Sequence, residues 1–177
     1  MKVFLLDHDY QYQSVMTIEE NLLDRFEQFG QPLEHDWKPI EMFVPDAKKE
    51  LPKSDFPNFL TDVPIFNQNA KNAFYELLRP NGEFLPVIIE GEKHYAFNTI
   101  NRIDALDEEA SDVKRFKSSG RIMKVIKYKF IPEKVQGQVI FKIPQDPGSV
   151  YVSNTFLAKY QEHELTGLMF REVWHAE

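Results

Sequence analysis

The 177-residue sequence predicts an α+β fold, with a mixed or largely antiparallel sheet and three to four helices, and three observations carry that prediction. Apolar residues recur at helical spacing in some stretches and at strand spacing in others, so both kinds of element are present. The two kinds alternate without the regular unit length of a parallel βαβ array. A composition of 42% hydrophobic and 28% charged residues is that of one ordinary globular domain, and a chain of this length buries roughly 70% of its unfolded surface. Residues 1–177 therefore read as a single domain, with a sub-division near residue 60.

Met1 to Asp7 reads as a first strand, since its apolar run is too short for a signal-peptide core and is broken by Asp7, His8 and Asp9. Thr17 to Gly30 has Ile18, Leu22, Phe26 and Phe29 at helical spacing, with Thr17 and Glu20 as a capping box and Gly30 and Pro32 as the stop. From 31 to 64 the chain is Pro-rich and without sustained periodicity, and it reads as a long ordered connection anchored by Trp37, Phe43, Phe56 and Phe59. A second helix is expected from Asn67 as cap through Leu78, because Ala70, Phe74, Leu77 and Leu78 form one stripe and Pro80 ends it.

Glu83 to Ile89 and Lys93 to Thr99 flank Glu90-Gly91-Glu92, which predicts a β-hairpin. Asp104 to Val113 looks like a short acidic helix, and Arg121 to Ile131 like a half-buried strand. Short strands are expected at Val139 to Ile143 and Ser149 to Val152, on either side of Pro144-Gln145-Asp146-Pro147-Gly148. Asn154 is placed to cap a last helix carrying Phe156, Leu157 and Tyr160, and Leu168 to Trp174 closes the fold as a strand. Trp37 and Trp174 are assigned to the core or to contacts within it.

The formal charge of −7 repels nucleic-acid phosphates and anionic lipid, so neither nucleic acid nor membrane is an expected partner and a basic protein is better suited. Absence of cysteine removes disulfides, thiol catalysis and Cys-based zinc sites. No run of about 18 apolar residues is present to span a membrane, which makes the cytoplasm the default location. Fifteen Phe, seven Tyr and two Trp supply both core and anchors for a partner.

No constellation points to an active site. The histidines His8, His35, His94, His163 and His175 are scattered singly, without the spacing that sets two imidazoles on one helical face toward a metal. Ser118-Ser119-Gly120-Arg121 lacks the glycines and lysine of a phosphate cradle, and no serine stands in a nucleophile elbow. No metal, cofactor or catalytic residue is assigned.

The strongest charge feature is Asp104, Asp107, Glu108, Glu109 and Asp112. On a helix, Asp104, Glu108 and Asp112 would share a face. That face reads either as a solvated helix start, favoured by the helix dipole, or as a surface for a basic partner, with paired catalytic carboxylates as a third reading. Asp104, Asp107, Glu108 and Asp112 are accordingly the candidate partner-binding residues. The basic stretch Lys114-Arg115-Phe116-Lys117 to Arg121 follows directly and is expected to pair with these neighbouring acids rather than form a phosphate footprint.

Several segments, in order, carry a resemblance. Gly30-Gln31-Pro32-Leu33 leads to Asp36-Trp37-Lys38-Pro39, followed by Asp55-Phe56-Pro57, Val63-Pro64-Ile65-Phe66 and Asn81-Gly82-Glu83-Phe84-Leu85-Pro86-Val87. Asp104-Ala105-Leu106-Asp107, Ser111, Arg115-Phe116, Gly120-Arg121-Ile122, Ile140-Phe141-Lys142-Ile143-Pro144 and Leu165-Thr166-Gly167-Leu168-Met169-Phe170 complete the set. Across nearly its whole length the chain resembles immunity protein family eleven of bacterial polymorphic toxin systems. The resemblance implies an intracellular, non-catalytic antidote that binds and neutralises a cognate toxin. Two rival functions are an enzyme reversing a toxin-made modification and a regulatory binding module of a secretion system.

Overall fold

Alternation along β1 (Lys2–His8) sets the architecture, because its side chains serve two different cores: Phe4 and Leu6 on one face, Val3 and Leu5 on the other. The computed structural model describes residues 1–176. After β1 come β2 (Met16–Thr17), a 3-10 helix (Glu20–Gln28), β3 (Ile40–Phe43), β4 (Ile65–Phe66), α1 (Gln68–Leu78) and the hairpin of β5 (Gly82–Ile89) and β6 (Glu92–Thr99). The second half holds β7 (Asp112–Arg115), β8 (Ile122–Lys127), α2 (Pro132–Val135), β9 (Ile140–Ile143), β10 (Asp146–Ser153), α3 (Asn154–Glu162) and β11 (Leu168–His175).

These strands form a four-stranded sheet, ordered β11-β1-β10-β9, a five-stranded sheet, ordered β2-β3-β5-β6-β4, and the separate ribbon β7-β8. The first is antiparallel throughout, and in the second β3 lies parallel to β5. The α+β class and the mixed, largely antiparallel pairing expected from sequence are what the chain adopts.

Helices α1 and α3 meet in a core shared by both sheets, where Phe74 stacks on Phe156 with ring centroids 4.3 Å apart. Phe4, Leu6, Val150 and Val152 reach this core from the first sheet, and Phe66, Tyr95 and Phe97 from the second. The far face of the first sheet, carrying Val3, Phe141, Tyr151 and Trp174, packs with Val125, Tyr128 and Phe130 from β8 and the residues after it. The far face of the second sheet, with Ile40, Met42, Val87 and Ile89, packs against Phe26 of the 3-10 helix and against Trp37 and Phe59.

Several elements match the sequence reading closely. The Asn67 side chain accepts the Ala70 N–H at 2.8 Å and caps α1. The β5–β6 hairpin turns on Glu90 at φ 48° and Gly91 at φ 84°, the pair of positive φ values that a two-residue primed turn requires. β11 forms where Leu168 to Trp174 was expected and runs antiparallel to β1.

Other elements differ. The expected helix from Thr17 is a 3-10 helix starting at Glu20; Thr17 is buried in β2 opposite Met42, so its hydroxyl is not a cap and the capping box does not form. Within the supposed connection at 31–64, Ile40 and Met42 point inward from β3, a strand too short between Pro39 and Pro45 to show its period. The acidic helix at 104–113 is absent. Its backbone is drawn into extended pairing instead: the Asp107 N–H donates to the Lys129 carbonyl, the Ile131 N–H to the Ala105 carbonyl, and Leu106 bridges Phe130. The strand expected at 121–131 is shortened to β8, with Val125 inward and Ile126 exposed. Ser153 rather than Asn154 caps α3, accepting from the Thr155 N–H, while Asn154 accepts from the backbone of Lys2.

Candidate functional site

Loss of the acidic helix scatters the four predicted partner-binding carboxylates. Asp107 caps its own turn, its Oδ1 accepting the N–H groups of Glu109 and Ala110 at 3.2 and 3.0 Å. The carboxylates of Asp104 and Glu108 converge on one donor, the Gln145 amide, at 2.8 and 3.0 Å. Glu108 also accepts from the Arg115 guanidinium at 2.7 Å, and that bond first, with Gln145 second, holds its carboxyl below the usual carboxylate range. Asp112 stands exposed at the start of β7, opposite Lys127. Three of the four are thus engaged within the molecule, and only Asp104 and Glu108 are brought together, by Gln145.

Beyond them the β7–β8 ribbon lies against the second core as an arm. Its loop closes through the Phe116 N–H donating to the Arg121 carbonyl and the Gly120 N–H donating back to Phe116, with Gly120 at φ 68°. Val113, Ile122 and Val125 pack toward the core beneath. Phe116, Met123 and Ile126 do not, and are 47%, 41% and 57% exposed. The same stretch carries Lys114, Arg115, Lys117, Arg121, Lys124, Lys127 and, just past β8, Lys129. These are a third of the 21 cations of the chain, placed in a stretch, 113–132, that holds no carboxylate. Among the described residues, Arg115 alone of the seven makes an ion pair. At the loop end of the arm a groove of about 390 Å³ lies between Phe116, Arg121 and the Pro144–Pro147 turn, with Glu108 and Arg115 on its wall.

The sequence reading treated this basic stretch as charge balanced by its neighbours. The structure pairs one arginine, half-buries Lys129 and leaves the other five exposed. A visible signal was the twenty-residue interval without Asp or Glu from Val113 to Pro132, in which Lys114, Lys117, Arg121, Lys124 and Lys127 have no carboxylate at i,i+3 or i,i+4 spacing.

A second cavity, of about 280 Å³, lies between the β5–β6 turn, Lys53–Ser54 and Asn67–Asn69. The Ser54 hydroxyl there is buried and has no hydrogen-bond partner among the described residues, so no base is positioned to activate it. Burial is the chief cause that pushes His94, on the same wall, below the ordinary imidazole range, and its Nδ1 lies 3.2 Å from the Glu92 carbonyl. The adjacent Asp55 carboxylate is occupied by Asn67, Asn69 and Thr166. Among the described residues no group of three or more His, Asp or Glu is gathered as a metal site, and no helix is long and apolar enough to cross a membrane.

Comparison with known proteins gives one family. A model described as Immunity protein family (Imm11) matches residues 39–175, from the entry to β3 to the end of β11. No curated protein matches the chain significantly.

Proposed function

The chain belongs to the Imm11 immunity protein family, and from that premise we propose that it acts inside a bacterial cell by binding and neutralising a cognate toxin, with no catalytic chemistry of its own. Family membership is the observation that carries the reading. The site geometry supports the non-catalytic half of it. Acid–base work needs a carboxylate or imidazole within reach of a reacting group across a cleft. Asp104 and Glu108 instead meet on Gln145, and the Ser54 hydroxyl has no hydrogen-bond partner among the described residues. Affinity for a toxin needs only complementary surface, at least about 1,200 Å² in total for a specific complex.

The test is co-expression with the product of the adjacent reading frame, followed by titration of that toxin with the purified chain. Growth rescue, co-purification and an equivalence point at a fixed molar ratio are expected. Protection of many toxin molecules by one chain would instead establish an enzyme that reverses the toxin's modification. Co-purification without rescue would establish a regulatory module.

A further inference from the structure

We propose that the β7–β8 arm is the docking element and that it seats on an acidic surface of the partner protein; this rests on the toxin-binding reading above. Two independent features of the arm point the same way. Five exposed cations without an ion-pair partner among the described residues, Lys114, Lys117, Arg121, Lys124 and Lys127, share the ribbon and its loop with three exposed apolar side chains, on a molecule whose formal charge is −7. Cations placed this way steer an acidic partner into encounter, and Phe116, Met123 and Ile126 are apolar surface that only contact removes from water. The groove at the arm's loop end adds Arg121, whose five donors suit a carboxylate.

Lysines and bulges also guard open strand edges against unwanted pairing, and the ribbon has both, with register shifts at Asp112/Val113 and Lys114/Arg115. Guarding gives no reason to expose three large apolar residues beside the charges. Nucleic acid fits less well than protein. Base stacking requires aromatic rings, of which the exposed set offers Phe116 alone, and the acidic body repels phosphate. Glu108 then serves the arm: with Gln145 it ties Arg115, and so the loop end of the ribbon, to the body.

The experiment compares Lys124→Glu/Lys127→Glu with a control carrying the same charge change away from the arm, Lys38→Glu/Lys48→Glu, both at exposed positions. Association with the purified toxin that wild type neutralises is followed by stopped flow at two salt concentrations, with melting temperature recorded for each variant. The arm variant is expected to associate at least tenfold more slowly at low salt and to lose most of the salt dependence, with near-unchanged melting, while the control stays within about threefold of wild type. Met123→Ser/Ile126→Ser is expected to leave association intact and to raise the dissociation rate severalfold. Equal association by the arm variant and the control overturns the proposal. So does an arm variant that aggregates yet keeps its association rate, which would mark the cations as edge guards. A probe free of the toxin's identity is poly-glutamate: wild type binds it at low salt more tightly than an oligonucleotide of equal charge, and the arm variant does not. The reverse preference, or no binding to poly-glutamate, overturns the acidic-protein assignment even where wild type protects. Failure of wild type to protect any host, with poly-glutamate binding retained, removes the toxin reading and leaves the arm's chemistry standing.

Discussion

Asp55 shows how a single carboxylate can be placed by residues far from it in sequence. Its Oδ1 accepts the side-chain amides of Asn67 and Asn69, both at 3.0 Å, and its Oδ2 accepts the Thr166 N–H and hydroxyl at 3.0 and 3.1 Å. The turn before β11 and the start of α1 are thereby tied to one point. Burial by itself would raise this carboxyl, but the donors on Asn69, Asn67 and Thr166 together outweigh it and hold the group below its ordinary range. The folded carboxylate is therefore more acidic than the unfolded one. Its stabilisation is complete above about pH 4, the ordinary Asp value, and is lost as pH falls through that value and below. Asp55→Asn keeps the shape but turns an N–H group toward the Thr166 N–H, so a loss of about 1–3 kcal/mol is expected at pH 7, shrinking at pH 3. Urea unfolding at the two pH values measures it, and an equal loss at both would show that the charge contributes nothing. Of this constellation the Asn67 cap was legible, because a cap acts within one turn. The Asp55 contacts were not, since Thr166 lies 111 residues away.

At the scale of elements the same distinction separates what could be read from what could not. α1 and the β5–β6 hairpin are specified within their own segments, by a cap with an apolar stripe and by a two-residue turn. The acidic segment 104–113 carries helix-like spacing, yet Ala105, Leu106 and Asp107 bond to 129–131 because Ala105 and Leu106 are buried with Phe130 and Tyr128. Tertiary pairing overrode local preference there, and with it went the shared carboxylate face. β3 was hidden for a related reason, as its parallel partner β5 follows some forty residues later. The junction of α1 and α3 gives the element-scale prediction. Phe74 is fully buried, stacks on Phe156 and also meets Phe56 and Phe66 edge-on. Phe74→Ala removes the ring where two helices and both sheets converge, and a loss of about 3–5 kcal/mol in denaturant unfolding is expected. Phe74→Leu, which refills part of the volume, should recover a large part of it. A loss below about 1 kcal/mol for Phe74→Ala would mean that the helices close over the gap.

For the whole molecule the question is what holds two separate sheets in one arrangement, since their shared core of rings and aliphatics packs without directional bonds. A half-buried ion pair is among the polar links that join them. Lys142 of β9 is 7% exposed at its side chain, and its ammonium donates to the Asp62 carboxylate at 2.9 Å, just before β4 of the other sheet. The backbone alongside reinforces the join, with the Lys142 N–H donating to the Asn101 carbonyl and the Ile103 N–H to the Lys142 carbonyl, both at 2.9 Å. Removing one partner of such a pair strands a charge, whereas replacing both can be neutral. Asp62→Ala is therefore expected to destabilise by about 3 kcal/mol, the low end of the range for a buried pair, because Asp62 itself is 27% exposed. Lys142→Met alone leaves the better-solvated carboxylate behind and should cost less. The double variant, Asp62→Ala/Lys142→Met, should recover most of what Asp62→Ala loses, since no charge is then left buried. Denaturant unfolding of the four proteins closes the cycle. Additive losses would show that the pair is not coupled and that the apolar core with its flanking backbone bonds fixes the two sheets. A strong coupling would make this ion pair a determinant of how the arm-bearing sheet is set against the sheet built on β5 and β6.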